Sequence, residues 1–116
     1  MSHKPVEFID YHAFKEKKIE GNVEGLFERV ISGSKEGKRL VRVMEFKPGT
    51  DTTPNGVQAH DYWEEIYIIK GSFVDLTLNE EFTEGMVASR PPGMKHGPWQ
   101  SANGCTLLEV RYYLDD

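Results

Sequence analysis

The sequence predicts an all-β domain, on three observations. No stretch of ten or more residues keeps its apolar positions at helical spacing. Short segments rich in Val, Ile, Leu, Phe and Tyr recur instead, separated by Gly, Pro, Asn and Ser at the short intervals of a sandwich or barrel. With 116 residues the chain has room for one core that buries roughly two-thirds of the unfolded surface, so residues 1–116 read as a single domain.

Taken in order, strands are expected near 6–10, 24–31, 39–46, 57–60, 64–70, 72–78, 86–90, 95–99 and 105–113. The polar segment 12–22 predicts a solvated loop. Ser32-Gly33-Ser34-Lys35-Glu36-Gly37 reads as a hairpin turn that pairs 24–31 with 39–46, because glycine supplies positive φ and serine suits turns. Lys47-Pro48-Gly49 ends the second of these strands, and Pro54 keeps 51–56 out of any ladder. Gly71 predicts a sharp break between two strands, and Pro91-Pro92-Gly93 a rigid turn poor in donors. Ile66, Ile68, Leu76, Met86 and Val110 are core candidates, His3 and His12 surface residues, and Cys105 a buried thiol at the start of a strand.

Charge narrows the partners. The 14 basic residues against 19 acidic ones leave a net charge of -5, and no basic stripe could track phosphates, so nucleic acid is not expected. The apolar run Ile66 to Ile69 stops at Lys70, far short of a membrane span, and the N-terminus carries no apolar stretch of signal-peptide length. With a single cysteine the expected compartment is cytoplasmic. An edge strand at 6–10 would favour a homodimer, because pairing between subunits covers an exposed edge.

One constellation carries chemistry. Gln58 and His60 are two apart, so on a strand they share a face, and counting by two adds Glu64, Ile66 and Ile68 while Glu65, Tyr67 and Ile69 point away. A carboxylate beside a histidine on a face of isoleucines is costly without a cation. A bound metal would keep Glu64 ionised and His60 neutral. His96 follows the rigid turn at 91–93. By the same parity Trp99 falls on the opposite face from His96, although Pro98 interrupts the count. Tyr62 shares the parity of His60 and either lines the pocket or joins the core. Arg42 and Arg111 either offer a planar fork to a substrate carboxylate or stand exposed on strands.

These residues resemble the motifs of the cupin superfamily. Gly85, Pro91, Gly93 and His96 keep the spacings of its second motif, about 85–100, with Gln100 where asparagine is usual. His60, Glu64 and Gly71 keep those of the first, about 56–71, with Gln58 in place of the first histidine. The resemblance implies a jelly-roll β-barrel holding one divalent metal ion on Gln58, His60, Glu64 and His96, with iron(II) favoured and zinc, manganese or nickel alternatives. The amide of Gln58 is either a weak ligand or a group that orients water or substrate. A set of polar residues that merely hydrogen-bond one another is the bland alternative. The implied activity is of the dioxygenase type on a small keto, enol or carboxylate-bearing metabolite. The alternatives are a redox-neutral isomerase, epimerase, lyase or cyclase, with Glu64 or Tyr62 moving the proton, and a non-catalytic metabolite-binding protein.

Overall fold

The computed structural model describes residues 4–114, so His3 lies outside it. Among the described residues nine strands form: β1 (Lys17–Lys18), β2 (Leu26–Gly33), β3 (Arg39–Phe46), β4 (Thr50–Asp51), β5 (Trp63–Asp75), β6 (Glu80–Thr83), β7 (Val87–Arg90), β8 (Trp99–Ser101) and β9 (Cys105–Tyr112). Single 3-10 turns occur at Tyr11–Ala13 and Thr53–Asn55. The strands curl into one antiparallel sheet in the order β1-β2-β3-β9-β5-β8-β4, with β6 and β7 also on β5. The expected all-β class is what the chain adopts.

The 13-residue strand β5 holds the barrel together. Its first part pairs with β9 and β7, and from Ser72 onward it pairs with β6 and β8. Gly71 is the bend that lets one strand serve both halves, since it sits at a φ of +82° directly against the Gly104 carbonyl. A glycine is required there both for the left-handed backbone and for the close approach of β9. The sequence reading placed a strand break at this residue; the strand instead continues through it.

Burial follows the two-residue period. Ile68, Phe73, Phe46, Leu26, Leu107 and Cys105 form the centre of the core, with the Phe46 and Phe73 rings stacked at 5.7 Å and Trp99 edge-on to Phe73 at 5.8 Å. Each such side chain contributes about 1.5–3 kcal/mol on leaving water. Cys105 is buried, and burial pushes its thiol up to about 11, as expected of a packing residue.

Elsewhere the boundaries differ from expectation. Residues 6–10 form no strand, and Phe8 there is 98% exposed, so the edge that favoured a homodimer does not form. A two-residue strand, β1, lies inside the segment read as a loop and pairs with β2. Leu76 and Met86 are exposed rather than core, because both lie in the turns flanking β6. Only a bridge at Gln58 remains of the strand expected at 57–60. Among the described residues no helix is long and apolar enough to cross a membrane.

The close approach at Gly71 yields a comparison with Gly85, which has a similar φ of +89° but open space where a Cβ would stand. Gly85→Ala is expected to cost about 1 kcal/mol through backbone conformation alone, and Gly71→Ala more than about 2 kcal/mol. Urea denaturation measures both; equal losses would show that the contact with Gly104 does not constrain β5.

Candidate active site

Inside the barrel is a cavity of about 270 Å³. Strand register decides what lines it. Glu64 on β5 stands opposite Arg90 on β7 and Arg111 on β9, and in the next row Ile66 stands opposite Glu109, which faces Arg42 on β3. Paired residues share a face, so both rows point into the cavity.

The consequence is a chain of buried charge across the barrel wall. Glu28 accepts from Arg42 Nη1 at 2.6 Å and from Lys35 at 3.0 Å. Glu109 Oε1 accepts from Arg42 Nε and, at 3.2 Å, from Arg111 Nε. Arg90 Nη1 donates to Glu64 Oε1 at 3.1 Å. Ions this deep are tolerable only when each is paired.

The Glu64 and Glu109 carboxyls lie close enough for each to shift the other's proton affinity, and one proton shared between them would relieve their repulsion. Two arginines donate to Glu109 and one to Glu64. Burial pushes Glu109 up, but the hydrogen bond from Glu64 and the charges of Arg42 and Arg111 win, holding it well below the usual carboxylate range. Glu64 therefore takes the proton. Burial first, then the hydrogen bond and negative charge of Glu109, raise it to about 8.

The two histidines come from loops stitched together by backbone. Gln58 N donates to His96 O at 2.7 Å, His96 N to Gln58 O at 2.9 Å, and Gly93 N to His60 O at 2.7 Å. Asp75, at the end of β5, accepts from Gly97 N at 3.1 Å and so fixes the residue beside His96. The His60 and His96 rings stand 4.9 Å apart, and His96 Nε2 is 3.8 Å from Glu64 Oε1. Burial, then Arg111 for His60 and Arg90 for His96, favour the neutral imidazoles, and His96 falls to about 4.

The four expected metal ligands all carry donors that suit a cation. His60 and His96 offer neutral nitrogens, and His96 Nδ1 is buried without a hydrogen-bond partner. The Gln58 amide nitrogen is held by the Asn55 carbonyl at 2.6 Å, which leaves its oxygen as the free end. At Glu64 an ion would share the carboxylate with Arg90. Among the described residues no three His, Cys, Asp or Glu side chains stand together as a ligand set.

Tyr62 does not line the cavity. Its ring stacks on His60 at 4.7 Å and carries the Arg111 guanidinium at 4.7 Å, and burial pushes its hydroxyl far up. It is a platform for His60. Trp99 does reach the cavity, stacked on His96 at 5.0 Å, contrary to the parity count, which fails once Pro98 interrupts the strand. Sequence reasoning missed Arg90 and Glu109. The period of β9 could have found Glu109, because Cys105 and Leu107 share its face.

No family model and no curated protein matches the sequence. Solved structures do match the fold. An RmlC-like cupin from Shewanella frigidimarina is 19% identical with a TM-score of 0.74, over 100% of this chain and 97% of that one. This chain has the cupin fold. The polyketide cyclase RemF from Streptomyces resistomycificus is 20% identical with a TM-score of 0.73, over 92% of this cupin barrel and 79% of its own chain. A predicted oxalate decarboxylase from Thermotoga maritima is 21% identical with a TM-score of 0.70, over 93% and 100%.

The shared proton has a consequence for stability. Glu64 binds its proton more tightly folded, near 8, than unfolded, near 4.5, so its contribution is fully present below about pH 4.5 and is lost as pH rises through 8. Glu64→Gln keeps a donor toward Glu109 without titrating. In metal-free protein the variant should gain stability over the parent as pH goes from 5 to 9, read by urea denaturation. A constant difference across that range would place the proton elsewhere.

Proposed function

We propose that this cupin is a small metal-dependent enzyme that moves a proton on a keto, enol or carboxylate-bearing metabolite, in a redox-neutral isomerase, lyase or cyclase reaction. The observation that supports it is that His60, His96 and Glu64 all line one cavity, with Arg90 donating to the Glu64 carboxyl. A divalent ion on His60, His96 and the Gln58 oxygen would supply Lewis-acid polarisation of a substrate carbonyl.

The chain's own residues account for the rest. In its ionised form Glu64 takes the proton from the carbon beside the substrate carbonyl, the electron pair passing to the carbonyl oxygen, and in its acid form it returns a proton to that carbon. Once it has done so, Arg90 stabilises the resulting carboxylate, and Glu109, kept ionised by Arg42 and Arg111, favours the proton's return. Two carboxyls whose environments push their affinities apart divide the acid and base roles in this way, and a group poised near neutral pH is suited to moving protons in both directions. Phe46, Phe73, Met44 and Trp99 line the cavity and limit the water that competes for the reacting carbon. The oxidative reading of the sequence finds no group of its own in this arrangement beyond the metal donors, and the same assay separates the two.

Elemental analysis of protein purified without tag or chelator should find one divalent metal per chain, and His96→Ala should lose it. Small 2-keto acids and diketones incubated with the loaded protein in deuterium oxide should gain deuterium beside the carbonyl, followed by proton NMR, without oxygen uptake. Glu64→Gln should slow that exchange by about 100-fold or more. Substrate-dependent oxygen consumption with stoichiometric iron and no exchange would replace this reading with a dioxygenase.

A further inference from the structure

The charge lining the cavity is one-sided. Lys35, Arg42, Arg90 and Arg111 line it, against the carboxylates of Glu109 and of Glu28, which partners Arg42 and Lys35. Counting Glu64 as ionised, those are four cations facing three carboxylates, inside a chain whose net charge is -5.

The arginines are not equivalent. Arg42 spends Nε on Glu109 and Nη1 on Glu28 and is 4% exposed, so it acts as a strut of the wall. Arg90 spends Nη1 on Glu64 and lies over Trp99 at 5.4 Å. Arg111 spends only Nε, on Glu109 at 3.2 Å, and its plane rests on the Tyr62 ring. Among the described residues its Nη1 and Nη2 have no acceptor, so the end-on fork is open while the side chain is held from behind. A planar fork fixed in place and lacking a partner is what bidentate capture of a carboxylate requires.

We propose that Arg111 is the anchor for a carboxylate on the ligand, and that the ligand class is a small organic acid whose apolar body lies against Met44, Phe46, Phe73 and Trp99. This deepens the proton-transfer reading by naming its substrate class, and it rests on that reading only for what happens after binding. The cavity's about 270 Å³ equals the volume of roughly nine waters, which suits a body no larger than one ring with a short side chain. Held on Arg111, the acid lies beside His60 and across β5 from Arg90, so a carbonyl next to the carboxylate falls between the histidines and Glu64.

The test uses the metal-free full chain and needs no turnover. Benzoate, phenylacetate and phenylpyruvate are titrated against benzamide by calorimetry and by tryptophan fluorescence, with Trp63→Phe leaving Trp99 as the reporter. The parent protein should bind the carboxylates at least tenfold more tightly than benzamide. Arg111→Gln should reduce that preference below twofold, while Arg39→Gln, on the exposed end of β3, should keep it. Equal affinity for benzoate and benzamide in the parent would overturn the assignment without any variant, and so would a preference retained in Arg111→Gln. Deuterium exchange on neutral diketones with no carboxylate preference would sink the anchor and spare the proton-transfer chemistry. Tight carboxylate binding with no exchange on any keto acid would support the anchor and sink the chemistry.

Discussion

The arrangement depends on one buried carboxylate. Glu109 is 2% exposed, and an isolated ion at that depth would be prohibitive. Its neighbours follow from that constraint. Arg42 and Arg111 supply charge from β3 and from β9, and Glu64 supplies a proton from β5. Because Glu109 keeps the charge, Glu64 cannot also be ionised cheaply, and its remaining oxygen contact is Arg90. Removing any member would leave another buried charge unmatched, so the network fixes β3, β5, β7 and β9 in one register as well as setting the chemistry of the cavity.

Much of this was legible in the sequence, though unevenly. The all-β class followed from punctuation by Gly and Pro, and the hairpin from Leu26–Gly33 to Arg39–Phe46 followed from its turn. Parity from Gln58 placed Glu64 and Ile68 inward and Tyr67 outward, as observed. Gly71 misled, because a glycine read as a break can equally be a bend that a continuous strand passes through when another backbone lies close. The charge network escaped because inward Arg and Glu read locally as solvent-facing residues. Only cross-strand register shows that Arg42, Glu109 and Glu64 meet.

The metal expectation and the observed electrostatics pull in different directions, and the tension is informative. Two neutral imidazoles and an amide oxygen invite a cation, whereas the three arginines make the cavity a better host for an anion. An organic acid resolves the conflict, because its carboxylate answers the arginines while its carbonyl can approach the histidines. Under that view the replacement of a histidine by Gln58 keeps a neutral donor where the surrounding field already disfavours more positive charge. The fold itself does not choose a reaction; solved cupin structures of similar shape include one named as a cyclase and one as a predicted decarboxylase.

The central claim is that Glu64 holds a proton at neutral pH because Glu109 does not. Carbon-13 NMR of metal-free protein labelled at glutamate carboxyls reads this directly, with assignments from Glu64→Gln and Glu109→Gln. The account predicts one carboxyl that titrates near pH 8 and vanishes in Glu64→Gln, while Glu109 remains ionised down to strongly acid pH. If every glutamate titrated within about a unit of the ordinary value near 4.3, the two carboxyls would share no proton and the proposed acid would be lost.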